Sequence, residues 1–90
     1  MAKIIIPTPL RKFTDNQSAF ETQGRTVSEA MNDLTDKYQD LRQYLLDHDG
    51  QVKSFVRVYL GDEDINTLQR EATELSEDSV VSIVPAIAGG

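Results

Sequence analysis

Val80-Val81-Ser82-Ile83-Val84-Pro85-Ala86-Ile87-Ala88-Gly89-Gly90 ends the chain, and its reading decides the fold. The β-branched run Val80 to Val84 predicts a strand buried enough to sit inside a sheet, closed by Pro85. The last five residues, Ala86 to Gly90, are uncharged, mostly small, and end in two glycines. A backbone without Cβ atoms accepts many dihedral angles and fits a narrow channel. The terminal carboxylate is thereby presented with no side chain beside it, where a visiting enzyme can reach it. Residues 79–90 carry no charged side chain, whereas Glu77-Asp78 just before them are acidic.

Working outward, the other apolar strand is at the start. Residues 3–6, Lys3-Ile4-Ile5-Ile6, read as a strand closed by Pro7 and Pro9. Thr14-Asp15-Asn16 is turn chemistry, and Ser18 to Thr22, centred on Phe20, can pair back as a hairpin closed by Gly24. Thr26-Val27-Ser28-Glu29 has the spacing of a capping box, in which hydroxyl and carboxylate each satisfy a free backbone N–H. Val27, Ala30, Met31, Leu34, Tyr38, Leu41 and Leu45 then recur in steps of three and four, one apolar stripe on a helix, with a break near Gln39-Asp40. Asp47-His48-Asp49-Gly50 ends that region, Gly50 offering a left-handed stop.

Residues 52–60 alternate as a strand, with Val56, Val58 and Leu60 on one face and Phe55, Arg57 and Tyr59 on the other. Gly61-Asp62-Glu63-Asp64 reads as an acidic turn, and Ile65 as the opening of a short edge segment. Asn66 to Leu75 reads as a short helical turn or loop anchored by Leu68, Ala72 and Leu75. The order predicts an α+β fold: a mixed sheet with one main helix across one face, because a single amphipathic helix needs a sheet to bury its stripe. The two most apolar strands, first and last, belong together in the centre, which directs the chain's end outward from a sheet edge.

Composition narrows the function. Ninety residues make one domain with a modest core and no separate catalytic domain. The absence of cysteine removes disulfides, thiolate metal sites and a cysteine nucleophile, and fits a cytoplasmic setting. The start has neither a signal-peptide pattern nor any run long enough to span a bilayer. The net charge is -6, and all of the excess lies in residues 46–90, with nine acidic and three basic side chains. That argues against a nucleic-acid partner and leaves open a basic-patched partner or simple solubility.

Asp47-His48-Asp49-Gly50 resembles part of a calcium loop, but aligning it puts Leu45 at the first ligand position and Val56 at the twelfth, which cannot ligate the ion. His48 has no nucleophile tied to it by spacing. Asp62, Glu63 and Asp64 diverge on a turn and suit partner recognition better than metal. Phe55, Arg57 and Tyr59 join them as the candidate partner surface, since aromatics and arginine dominate binding hot spots. There is no phosphate loop, no Ser-His-Asp spacing and no framed carboxylate pair. The chain reads as a substrate of enzymes, with no catalytic, metal or cofactor site of its own.

The segments Phe55-Val56-Arg57-Val58-Tyr59-Leu60-Gly61-Asp62-Glu63-Asp64-Ile65 and Asp78 to Gly90 resemble the small ubiquitin-like sulfur carriers. These include the small subunit of molybdopterin synthase, the thiamine-pathway carrier and, most similar in the tyrosine strand and acidic turn, the carrier of cysteine synthesis. Many relatives have Gly-Asp where Glu77-Asp78 stands here. The resemblance implies a β-grasp domain over residues 1–85 and a flexible tail over 86–90. It implies that Gly90 is adenylated by a ubiquitin-activating-enzyme-like adenylyltransferase using ATP and magnesium, and that sulfide or a persulfide then displaces AMP to leave a thiocarboxylate. Ala88, Gly89 and Gly90 would enter the partners' active sites, one of them a cysteine-synthase-like acceptor. The alternatives are a molybdopterin synthase small subunit, a ubiquitin-like modifier forming isopeptide bonds, and a non-covalent subunit with an incidental tail. No membrane partner is implied.

Overall fold

The computed structural model describes residues 1–85. Five strands form one sheet in the order β2-β1-β5-β3-β4: β1 (Ala2–Ile5), β2 (Ala19–Thr22), β3 (Val56–Leu60), β4 (Glu63–Asp64) and β5 (Val80–Pro85). The first and last strands lie side by side and parallel, with Ile4 opposite Val81. All other pairings are antiparallel. Because β5 has a neighbour on each flank, the chain leaves from the end of a central strand and not from a lateral edge.

Helix α1 (Val27–Lys37) crosses one face. Its stripe does what the spacing predicts: Val27, Ala30, Met31 and Leu34 are buried with Ile4, Ile6, Val58, Val81 and Ile83 in one core. Each of these side chains larger than alanine contributes about 1.5–3 kcal/mol when removed from water. The Thr26 hydroxyl accepts from the Glu29 N–H at 3.2 Å. The glutamate reaches one residue further back than a capping box requires, its Oε1 accepting from the Arg25 N–H at 2.8 Å. The stripe continues past the break through a 3-10 turn (Gln39–Leu41) and the short α2 (Arg42–Leu45), burying Leu41 and Leu45.

Several expectations are corrected. Gly50 does have positive φ (81°), but it does not stop a helix; it sits in a turn closed by the Leu46–Val52 bridge. The Asp47 carboxylate accepts from the N–H groups of Asp49 and Gln51 there, at 2.9 and 3.0 Å, so its lone pairs serve the turn. The strand expected over 52–60 begins only at Val56, because the Lys53 N–H donates to the Leu45 carbonyl and the Lys53 carbonyl accepts from the Val56 N–H. The edge strand is Glu63–Asp64, and Ile65 turns inward to the core. Between 66 and 75, Leu68 and Ala72 are exposed; Thr73 is buried and Leu75 packs on the core. Two 3-10 turns, Ile65–Thr67 with only Ile65 buried and Arg70–Ala72 with none, put Leu68 and Ala72 out of the expected register.

Gly24 shows how tightly the helix start is held. A Cβ on it would lie 2.7 Å from the Ala30 nitrogen and 2.9 Å from the Glu29 carbonyl carbon, both backbone atoms that cannot swing aside. Thr22 fixes the same connection, donating its hydroxyl to Asp33 at 2.6 Å while accepting from the Gly24 N–H at 3.0 Å. Gly24→Ala is expected to cost about 1–3 kcal/mol, the usual penalty for overpacking. Urea unfolding at neutral pH checks it; an unchanged midpoint contradicts the close approach.

Candidate functional site

The site is the root of the C-terminal tail. The last pairing of the sheet sets Pro85 opposite Val56, the first residue of β3. On the other flank, β1 runs parallel to β5, so its continuation, Pro7 and the 3-10 segment Thr8–Phe13, lies at the same end. Val81 and Ile83 anchor β5 in the core while Val80, Ser82 and Val84 alternate to the outer face. The tail is thus mounted on the best-held strand of the molecule. Ala88, Gly89 and Gly90, the residues expected to carry the chemistry, lie outside the described residues.

The candidate partner residues divide. Phe55, Arg57 and Tyr59 do point away from the core: Phe55 is 49% exposed just before β3, Arg57 stands opposite Val84, and half-buried Tyr59 stands opposite Ser82. Asp64 joins them through its ion pair with Arg57, Oδ2 to Nη1 at 3.1 Å. Asp62 and Glu63 are exposed at the other end of β3, where the Gly61 N–H donates to the Val80 carbonyl. The structure therefore does not bring those two acids to the tail root. It adds Val84, 47% exposed beside Arg57, which reasoning from the sequence passed over. Period-two alternation from buried Val81 and Ile83 was the signal available for it.

Asp64 acts as a local hub. Its Oδ1 accepts from the Asn66 N–H at 2.9 Å, and its carbonyl accepts from the Thr67 hydroxyl at 2.7 Å. The Asn66 amide holds the carboxyl below its ordinary value of 3.8; burial works the other way, and Arg57 adds to the lowering. A depressed carboxyl stabilises the fold in full above the ordinary value and loses that contribution as pH falls through the lower, folded-state value. Asp64→Asn is therefore expected to flatten the loss of stability on acidification. Urea melts from about pH 5 to about pH 2 check it, an acid limb identical to the parent's being the contrary result.

Among the described residues, no three histidine, cysteine or acidic side chains are grouped to hold a metal ion. No described helix is long and apolar enough to cross a membrane. What the geometry offers is a strand end paired as far as Pro85 and bordered by exposed side chains of Phe55, Arg57 and Val84.

Comparison with known proteins agrees with that geometry. A family model described as the ThiS family matches residues 4–90. The sulfur carrier protein CysO of Mycobacterium tuberculosis is 34% identical over 89 residues, covering 97% of this chain and 96% of that protein. A chain in the crystal structure of the Amycolatopsis orientalis BexX/CysO complex superposes with a TM-score of 0.90 at 29% identity, with full coverage of both chains. The small archaeal modifier protein 1 of Methanosarcina acetivorans shares the fold, with a TM-score of 0.85 at 21% identity over 99% of this chain and 95% of its own. The sheet order, the helix laid across it and these matches together place the chain in the ThiS family, whose members are sulfur carriers of the ubiquitin-like β-grasp fold.

Proposed function

We propose that the chain carries sulfur as a thiocarboxylate on Gly90 and serves as a protein co-substrate, not as an enzyme. An adenylyltransferase related to ubiquitin-activating enzymes joins the Gly90 carboxylate to AMP, releasing pyrophosphate from magnesium-bound ATP. Activation is needed because an α-carboxyl, with an ordinary pKa of roughly 3.3–3.7, is an ionised and poor electrophile at neutral pH. Sulfide attacks the acyl carbon, the C–S bond forms, the C–O bond to AMP breaks, and the thiocarboxylate remains.

The observation that carries this reading is the placement of β5. The strand that leads to Gly90 is central, paired on both flanks, and its pairing with β3 extends to Pro85, so the folded body can dock while the last residues are handed over. Five residues, 86–90, span about 16–18 Å when extended, enough to reach a buried catalytic centre from a surface contact. In this reading residues 1–85 are the β-grasp body, residues 86–90 the tail, and the setting is the cytoplasm.

The acceptor is proposed from resemblance to CysO: a synthase that makes cysteine or a related sulfur metabolite. The A. orientalis relative is held in a complex with BexX, which supports docking of a carrier of this shape on a second protein. ATP–pyrophosphate exchange tests the first step. With the activating adenylyltransferase and magnesium, exchange is expected to depend on this chain and to saturate with it; exchange indifferent to the chain contradicts the reading.

A further inference from the structure

The sheet ends in two edges of unequal kind. β4, Glu63–Asp64, is two residues long and offers little backbone to pair with. β2, Ala19–Thr22, is four residues long, holds no proline and has β1 on one side only. The register fixes which of its backbone groups are free. Residues of an antiparallel pair alternate between those that exchange backbone hydrogen bonds and those that do not. The Lys3 N–H donates to the Ser79 carbonyl, towards β5, and the Ile6 N–H donates to the Ser18 carbonyl, towards β2. With Ile4 opposite Phe20 and Ala2 opposite Thr22, it follows that Phe20 and Thr22 bond to β1. The N–H and C=O groups of Ala19 and Glu21 therefore point away from the sheet, and among the described residues no hydrogen bond reaches them.

Helix α1 runs beside this edge. The Thr22 hydroxyl donates to Asp33 at 2.6 Å, and Tyr38, just past the helix, meets Phe20 edge-on with ring centres 6.2 Å apart. Phe20 and Tyr38 are only half-buried, so part of each ring is uncovered. At the Thr22 end the helix and the edge enclose an open cleft of about 580 Å³. Glu21, Glu29 and Asp33 border it with three carboxylates, against one cation, the ammonium of Met1. Two lysines stand nearby. Lys3 is opposite Glu21 on the outer face, and Lys37 Nζ lies 5.7 Å from the centre of the Tyr38 ring. The helix side of the edge is thus acidic beside Thr22 and aromatic, with a cation of its own, beside Phe20.

We propose that the β2 edge takes an extended segment of another protein as an added strand, and that this segment carries a lysine or arginine two residues from an apolar side chain. Side chains two apart on a strand face the same way, about 6.8 Å from each other. That step matches the one from Thr22 to Phe20, so the cation lies by Asp33 and Glu29 while the apolar side chain covers Phe20 and Tyr38. Backbone bonds to Ala19 and Glu21 supply affinity, and the alternate side chains supply specificity. The Lys37 ammonium disfavours a second cation at the aromatic end, which sets the end of the segment that is basic. A second copy of this chain fits worse. Antiparallel pairing centred on Glu21 sets like charges opposite each other, between bodies that each have a net charge of -6. The inference does not rest on the carrier reading, because β1 separates the β2 edge from β5 and its tail.

Nuclear magnetic resonance titration of the isotope-labelled full-length chain tests this. The probes are the capped peptide Lys-Thr-Lys-Thr-Val-Thr-Val and its reversed sequence, which covers the other strand direction. One of the two is expected to shift the Ala19 and Glu21 amides, to slow their hydrogen exchange, and to saturate by about 1 mM. Methylating alternate peptide nitrogens, in each of the two possible phases, keeps every side chain and charge. One phase blocks the groups that face β2 and is expected to weaken binding at least about 10-fold, and the other phase much less. E21P removes one outward N–H, leaves the bonds to β1, and is expected to weaken binding similarly, since an edge strand tolerates proline. E29Q/D33N keeps the hydrogen bonds to Arg25 and Thr22 but removes two charges. It is expected to weaken binding about 3–10-fold at low salt, with a smaller gap in added salt. Circular dichroism melts verify that the variants fold. Equal weakening by the two methylation phases, no saturable binding, or shifts centred away from β2 and α1 overturns the proposal. Protection of Ala19 and Glu21 that rises with protein concentration alone also overturns it, by giving the edge to a second copy.

Discussion

Deleting Gly90 is expected to abolish sulfur loading while the melting temperature stays where it was. Removal moves the terminal carboxylate back by one residue, about 3.5 Å along an extended chain. Misplacement of a reacting group by about 1 Å already costs on the order of 100-fold in rate, so the loss here should be at least that large. Among the described residues the buried cluster draws its last member from Ile83, and a glycine has no side chain to add to a core. The two readouts therefore separate chemistry from folding. Thiocarboxylate formation by the shortened chain is followed by mass spectrometry and its stability by circular dichroism. Loading at the parent's rate contradicts the role of Gly90, and a lowered melting temperature contradicts the division between body and tail.

Val58→Asp is expected to unfold the domain, or to lower its melting temperature by about 20 °C or more. Val58 is 1% exposed on the inner face of β3, opposite Ile83. The substitution forfeits about 1.5–3 kcal/mol of apolar burial and puts an unpaired carboxylate in an apolar core. A domain of this size has roughly 5–13 kcal/mol in total, so a loss above about 4 kcal/mol is severe. Val84→Asp is the matched control. Val84 is on the same sheet but 47% exposed on the other face, and its replacement should change stability by no more than about 0.5 kcal/mol. Equal effects from the two variants, read by urea melts, would show that the faces are misassigned.

The elements legible in the sequence are those whose signals are local. Thr26 and Glu29 cap α1 within one turn, and the stripe from Val27 to Leu45 needs only a helical period to be seen. The apolar runs of β1 and β5 predict their shared place inside the sheet, and they pair in parallel there, each burying one face while Val80 and Val84 stay exposed on the other. The misreadings fall where a distant contact overrides the local pattern. Val52 continues the alternation of β3, but its N–H donates to the Glu71 carboxylate at 2.8 Å and its backbone bridges to Leu46. Ile65 resembles an edge residue until Asp64 caps the 3-10 turn Ile65–Thr67 and directs Ile65 into the core.

The same distinction applies to the site. Arg57 and Tyr59 can be assigned to the outer face by counting along one strand. The pairing of Arg57 with Asp64 depends on the hairpin between β3 and β4, and the stacking of Phe13 on Tyr44 joins residues that only the packing of α2 against the Thr8–Phe13 segment brings together. No spacing rule reveals such a juxtaposition. The expectation for the tail draws only on small residues and a carboxylate, with no partner elsewhere in the chain, and it falls on residues 86–90, outside the described residues.

Intact-mass analysis with fragmentation, after incubation with the activating adenylyltransferase, magnesium, ATP and sulfide, bears most directly on the central claim. One oxygen-for-sulfur exchange, confined to the fragment that holds Gly90 and dependent on ATP, is the result predicted. A chain that keeps both carboxylate oxygens, while another carrier is converted by its own enzyme under the same conditions, contradicts it.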